Sequence, residues 1–399
     1  MTTARLAAML VAACVATFIV TTSGNSLAPF LQVIATDTGT DLAAIAHLIS
    51  FAAISWGACS WFAGSASDRI GRRPILIAAM FLLAAARFGF AHAQSYGAAL
   101  MWHVISGVAG GAFLGAVFAC VSDHVPAALR GRALGWVITG QSLSMVLGVP
   151  LLTYIGSFAG WRGAFIVHSA MAVVSALSLI YLIPPDIKHP PRSERHHVSF
   201  ASIAKPEFMV LLGAGTMERM CFASLAIYFA TYLQQSYHLP FSELAAALML
   251  VALGNLIGNL LGGQLADRFP RRMALFCGSM IVAGILVIPL LWLSHSINLS
   301  IALGFAYSCA NALGRPSFVA TLSEVPNEVR GAVLGFNVTM ASIGWLLAAS
   351  VGAQLVIHLG FVSLGIFSGL SAFAGAALGW QYLRMKSRGS PVTTAAWQH

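Results

Sequence analysis

The stretch GSASDRIGRRP, residues 64 to 74, sets Asp68, Arg69, Arg72 and Arg73 within six positions of a chain in which only 8% of residues are charged. GGQLADRFPRRM, residues 262 to 273, nearly repeats it at an offset of 199, with Gly64 and Asp68 answered by Gly263 and Asp267. VPAALRGRALGW (125 to 136) returns as VPNEVRGAVLGF (325 to 336). FLQ (30 to 32) followed by DLAA (41 to 44) returns as YLQ (232 to 234) followed by ELAA (243 to 246), with the spacing kept. The chain is one pattern written twice.

What lies between the charged stretches is apolar. Hydrophobic residues make up 58% of the 399 and mean hydropathy is +0.84, a balance that cannot keep the surface of a globule wet. Twelve apolar runs lie near residues 6 to 35, 42 to 64, 75 to 93, 97 to 121, 133 to 153, 163 to 183, 207 to 236, 243 to 265, 273 to 293, 298 to 321, 331 to 354 and 362 to 385. Each is long enough to cross a hydrocarbon core of about 30 Å as a helix.

The basic residues orient these spans. With the N-terminus in the cytoplasm, seventeen of the 21 Lys and Arg fall on that side: Arg5, Arg69, Arg72, Arg73, Arg130, Arg132, Lys188, Arg192, Arg195, Lys205, Arg268, Arg271, Arg272, Arg330, Arg384, Lys386 and Arg388. Only Arg162 falls outside, while Arg87, Arg219 and Arg315 lie within spans. Cationic loops resist translocation, so both termini are expected in the cytoplasm and the net charge of +9 reflects topology rather than nucleic-acid binding. Cys14, Cys59, Cys120, Cys221, Cys277 and Cys309 sit in or beside spans without ligand spacing and read as small packing residues, with no metal or cofactor implied.

The first run, with Arg5 before it and Ser26 and Ala28 after it, has the look of a signal peptide, but its internal counterpart argues for a retained helix. Thr40 and Ser242 are expected N-caps for the next spans, each followed by an acid, Asp41 or Glu243, suited to the positive end of a helix dipole. The expected fold is all-α and integral to the membrane, with twelve transmembrane helices in two pseudosymmetric six-helix bundles. Residues 1–183 and 207–386 form the bundles, 184–206 a cytoplasmic linker rich in proline, and 387–399 a cytoplasmic tail.

Twelve spans with GSASDRIGRRP between the second and third resemble the major facilitator superfamily of secondary transporters. The match to its signature GxxxDRxGRR falls on Gly64, Asp68, Arg69, Gly71, Arg72 and Arg73. APFLQVIATDTG (28 to 39), LGVPLLTYIG (147 to 156, with Gly148, Pro150 and Gly156) and GWRGAF (160 to 165) resemble the drug and metabolite:proton antiporter branch, the bacterial sugar- and drug-efflux type. His103 stands where that branch carries an arginine four residues before a glycine, Val149 separates Gly148 from Pro150, and Pro270 replaces the glycine in the second signature. The resemblance implies the major facilitator fold, alternating access, and a multi-pass monomer in the bacterial inner membrane that exchanges small organic molecules for protons. Import of a sugar or organic acid is the alternative, with Arg219 or Arg315 binding an anion.

A carrier of this kind needs contacts between its halves that form and break. Asp68 is expected to face the N-terminus of span 11 near Arg330, and Asp267 the start of span 5 near Arg130, each a lock of about 1 to 3 kcal/mol. Arg69, Gly71, Arg72, Arg73, Arg268, Arg271 and Arg272 complete the two loops. Gly107, Gly110, Gly111 and Gly115 in span 4, and Gly254, Gly258 and Gly262 in span 8, predict close helix approach.

Ionisable groups inside spans cost about 2.5 to 3.5 kcal/mol each and mark function by default. Arg87, His103, His168, Glu218, Arg219 and Arg315 are such groups. Glu218 is the only acid at mid-depth, about 16 Å into span 7, and is the first candidate for the coupling proton, with His103 second. A structural ion pair with Arg315 or Arg219 is its other reading. Asn25, Gln32, Tyr154, Tyr228, Tyr232, Asn255, Asn311 and Asn337 are the polar candidates for a cavity wall. The chain has no GxxxxGK[ST] loop, HExxH or GxSxG, which argues against an ATP-driven pump or a hydrolytic enzyme.

Overall fold

The computed structural model describes residues 3–126, 129–185, 205–269, 271–292, 296–325 and 327–389. The helices are α1 (Thr3–Asn25), α2 (Leu31–Asp37), α3 (Leu42–Ile70), α4 (Arg72–Ala91), α5 (Tyr96–His124), α6 (Arg130–Leu143), α7 (Val149–Leu182), α8 (Pro206–Tyr237), α9 (Phe241–Arg268), α10 (Arg272–Trp292), α11 (Ile297–Ser323) and α12 (Asn327–Gly389). A 3-10 turn, Ala28–Phe30, joins α1 to α2, and a π-helical turn, Ser144–Gly148, joins α6 to α7.

Ten continuous helical stretches among the described residues are long and apolar enough to span a membrane. Two of them, Ala133–Leu182 and Phe336–Ser387, are 50 and 52 residues long and break once each, at Gly160 (φ 66°) and Gly360 (φ 76°). Twelve crossings result. The expected loops at 154–162 and 355–361 are thus each reduced to one glycine in a backbone region that a side chain disfavours, and these two glycines stand 200 residues apart like the other repeats.

Capping differs from expectation on both sides. Asp41, not Thr40, is the N-cap of α3, its Oδ1 accepting from the Ala44 N–H at 2.7 Å. Helix α9 starts after Pro240 without a side-chain cap, which leaves Ser242 and Glu243 inside its first turn. Gly71, with φ 111°, turns the chain from α3 into α4, which accounts for a glycine in the signature. The linker 186–204, the tail beyond 389 and the side chains of Asp68, Arg130 and Arg330 lie outside the described residues.

The glycine stripes are close-approach surfaces. A Cβ at Gly107 or Gly111 would overlap the backbone of Ala52 or Trp56 in α3, and a Cβ at Gly254, Gly258 or Gly262 would overlap the Phe305, Cys309 or Leu313 carbonyl in α11. Large apolar side chains such as Phe88, Val174, Ile285 and Leu370 remain exposed on the outside, as lipid requires.

The molecule has two ends: a charged end carrying the turn at Gly71 and the helix ends at Arg268 and Arg272, and a short-loop end carrying Gly39, Ala93, Gly160 and Gly360. One buried apolar cluster bridges the two halves of the chain at the short-loop end, where Leu27, Phe30, Ile45 and Trp161 join Tyr228, Leu233 and Leu244. There Phe30 meets Phe241 across the halves at 5.4 Å between ring centroids. Nearer mid-depth, the Ser50 and Ser350 hydroxyls are 3.0 Å apart. Toward the charged end α3 and α12 border a cleft of about 350 Å³ lined by Ile54, Phe62, Thr339 and Leu346, with Gly57 close against the Ser342 hydroxyl, and the buried cluster there, with Met9, Met80, Phe113 and Leu179, belongs to the first half alone.

Candidate functional site

A cavity of about 70 Å³ lies between the halves at mid-depth. The first half contributes Asn25, Met145 and Val149; the second contributes Phe222, Leu225 and Phe229 from α8, Asn255 from α9 and Ser308 from α11, among others. Met145 and Val149 reach it from the π-helical turn and its junction with α7, so a local widening of the helix presents this wall.

One turn along α8 toward the charged end sits the ion-pair triad. Glu218 is buried, its side chain 1% exposed. Arg219 grips it with two hydrogen bonds, Nε to Oε2 at 2.5 Å and Nη2 to Oε1. Arg315 of α11 donates from Nη1 to Oε2 at 3.0 Å. Arg219 is further held over the Phe222 ring, 4.8 Å from its centroid, and Arg315 keeps a third of its side-chain surface open. The ion pairs offset the cost of placing charge at this depth and tie α8 to α11 where both border the cavity.

Arg87, His103 and His168 form a separate buried group inside the first half. Arg87 donates to the Ser23 carbonyl at 2.6 Å and the Ser106 hydroxyl at 3.1 Å, lies 3.5 Å from His103 Nδ1, and stands 5.5 Å from the Phe165 ring centroid. His168 Nε2 is 3.0 Å from the Ile19 carbonyl. A buried guanidinium next to His103 is therefore present, supplied by α4 rather than by the α5 position that His103 occupies.

The other polar candidates scatter. Asn25 and Asn255 line the cavity. Tyr228 donates to the Ala349 carbonyl, Tyr232 lies within 3.3 Å of Ser300, and Asn311 is buried against Cys221 and Met280, so these three tie α8 and α11 to their neighbours. Gln32 is exposed on α2, Tyr154 stands edge-on to Phe158 with half its surface exposed, and the Asn337 Oδ1 faces Gly215. Sequence reading missed Phe222, Leu225, Met145 and Ser308, because an apolar or small residue facing a cavity carries the same signal as one facing lipid.

The three branch-like stretches meet at the short-loop end. Asp37 Oδ2, from 28–39, accepts from the Trp161 indole at 2.8 Å and from Arg162 at 2.5 Å, both from 160–165. Phe30 packs on Phe165 at 5.9 Å, and a Cβ at Gly156 would overlap the Phe30 ring. Gly148 likewise admits the Thr22 side chain. Pro150 directly follows the π-helical turn in continuous helical backbone, where its ring removes one donor from the ladder.

At the charged end, the described contacts of the signature arginines stay within their own half. Arg72 reaches Asp123 at 3.2 Å and Ser67 at 2.6 Å, and Arg73 donates to the Ile180 carbonyl at 2.5 Å. Arg272 reaches Glu324 at 2.8 Å and the Ala266 carbonyl at 3.0 Å, with Lys386 also on Glu324 at 3.5 Å. Arg69, Asp267, Arg268 and Arg271 are exposed.

Twelve helical crossings in a repeated pattern, joined across the halves at the short-loop end and enclosing between them a mid-depth cavity with largely apolar walls, define a membrane transporter that works by alternating access, and not an enzyme. The Major Facilitator Superfamily profile matches residues 13–349, and a second match covers 211–398; the chain belongs to that family. Among relatives, it is 25% identical to the inner membrane transport protein YdhP of Escherichia coli K12, over 81% of each chain. It is 24% identical to the putative transporter AraJ of the same strain, over 91% of this chain and 92% of that one. In fold it is similar to a bacterial homologue of the human lysosomal transporter Spinster in an inward-facing, occupied conformation, with TM-score 0.79, 15% identity, and 98% and 100% of the chains covered. It is likewise similar to the xylose transporter XylE of E. coli in an inward-open conformation, with TM-score 0.76, 14% identity, and 95% and 96% covered.

Proposed function

We propose that this transporter is a proton-coupled exporter of small organic molecules, acting as a monomer in a bacterial inner membrane with its charged end in the cytoplasm. The observation that carries the coupling is the triad: the one deep acid, Glu218, is shared between Arg219 on its own helix and Arg315 on another. Any shift of α11 relative to α8 changes what Glu218 is paired with, and a carboxylate that exchanges a guanidinium for a proton links helix movement to proton movement. The resemblance of 28–39, 147–156 and 160–165 to the antiporter branch supports the direction of transport. Import of an organic acid is the second reading, favoured by two guanidiniums standing against one carboxylate.

Cells with and without the protein, compared by metabolite profile and drug susceptibility, identify the exported compound. Its addition to everted vesicles then releases protons if the exchange is proton-coupled, and leaves the pH unchanged if the carrier is a uniporter. The orientation rests on seventeen cationic residues against one. Cysteines placed in 184–199 are expected to label only from the cytoplasm and those in 157–160 only from outside; labelling of both from one side contradicts the twelve-span topology.

A further inference from the structure

We infer that Arg315 is the anchor for an anionic group on the cargo, so that the transported class is organic anions with an apolar body, carboxylates first among them. The inference deepens the exporter reading and rests on the mid-depth cavity being the cargo site.

The first ground is charge. Among the described residues at depth, Arg87, Arg219 and Arg315 stand against the single acid Glu218. Arg87 is held by neutral acceptors inside the first half. The triad itself, two guanidiniums on one carboxylate, carries an excess positive charge in a low-dielectric setting, where an anion is attracted strongly and a cation repelled.

The second ground is position. Arg219 is 12% exposed, grips Glu218 with two bonds and is covered by Phe222, so its guanidinium is committed. Arg315 spends one nitrogen on Glu218 and keeps a third of its side chain open. A guanidinium offers five donors in a planar fork that suits a carboxylate, so Arg315 has donors to spare. Arg315 follows Ser308 by seven residues, two helical turns on the same face of α11, which puts it about 10 Å from a residue that lines the cavity, toward the charged end.

The third ground is the wall beyond it. Phe222, Leu225 and Phe229 offer an apolar surface, and the polar lining, Asn25, Asn255, Tyr307 and Ser308, has no carboxylate. A cargo with an apolar body and an anionic head would follow this order, body against α8 and head on Arg315, once helix movement joins the cavity of about 70 Å³ to the guanidinium below it. The anion and Glu218 then compete for the same guanidinium.

The test uses the full chain purified in lipid nanodiscs, with benzoate as probe and benzamide as its uncharged isostere. Wild type is expected to bind benzoate roughly tenfold more tightly than benzamide, the difference a charge-assisted pair supplies. Arg315→Gln should remove that preference, and Arg315→Lys should recover part of it. Glu218→Gln should tighten benzoate binding several-fold, because the guanidinium is no longer shared, and the gain should be absent from Glu218→Gln/Arg315→Gln; a gain that survives without Arg315 comes from loss of the carboxylate charge alone and overturns the inference. Should Arg315→Gln fail to fold, the Lys and Glu218→Gln arms decide. Equal affinity for benzoate and benzamide, no saturable benzoate binding, or benzoate binding unaltered in Arg315→Gln overturns the inference. Proton release in everted vesicles is read separately, so an exporter whose cargo is uncharged fails here while the coupling reading stands.

Discussion

Replacing Glu218 by Gln is expected to abolish transport driven by a pH gradient while leaving substrate binding and passive exchange measurable. The substitution keeps the shape of the side chain and removes its charge, so the steric fit of a residue buried between α8 and α11 is kept. What it removes is the only acid at mid-depth, and with it the group whose partner changes when α11 moves. Midplane sites between repeats are where carriers of this architecture place cargo and coupling ion. Two other outcomes are informative. Full pH-driven transport in Glu218→Gln moves the proton site elsewhere, with His103 the next residue to replace. Loss of folded protein makes the triad a structural ion pair, since Arg219 and Arg315 are then left as buried charges without a counter-ion.

A second large effect is expected at Gly258. A side chain there meets the Cys309 carbonyl and lies 2.9 Å from its Cα, all of it backbone that cannot swing away. Gly258→Val should therefore cost about 3 kcal/mol, the upper range for forcing extra atoms into a packed interface, and deplete the folded monodisperse fraction in detergent. Gly263, five residues on in the same helix, meets nothing within 4 Å, so Gly263→Ala should be neutral or slightly stabilising, as expected of alanine in a helix. Equal thermal stability of the two variants refutes the close-approach account of the α9 stripe.

Much of this architecture is legible in the sequence because its causes are local or repetitive. Apolar runs report the spans, and the stripe 254, 258, 262 reports contact because i, i+4 spacing puts small residues on one face. Gly160 and Gly360 escaped as breaks because hydropathy carries no record of backbone angle, so a single residue with positive φ does the work expected of a loop. Glu218 could be singled out from rarity alone, and its pairing with Arg315 was one of two open readings. The remaining cavity wall was illegible for a physical reason. Tyr228 and Tyr232 satisfy their hydroxyls by reaching neighbouring helices and Asn311 turns its amide nitrogen to the sulfurs of Cys221 and Met280, whereas the cavity is faced largely by Phe222, Leu225 and Met145. Polarity at depth marks where helices must be tied together as often as where cargo passes.

Alternating access itself is open to direct measurement. Spin labels on a background without native cysteines, one pair at Leu129 and Phe269 at the charged end and one at Gln94 and Ser236 at the short-loop end, report the separation of the halves at each side by pulsed electron–electron resonance; all four positions are exposed. The present arrangement, in which the halves meet at Phe30 and Phe241, is expected to be one of the two states. Each pair is expected to show two distances whose populations change in opposite directions, and Asp68→Asn, which removes the carboxylate proposed to latch onto the start of α12, should raise the population of the longer charged-end distance. A single distance at both ends, or two ends that open and close together, contradicts alternating access in this chain.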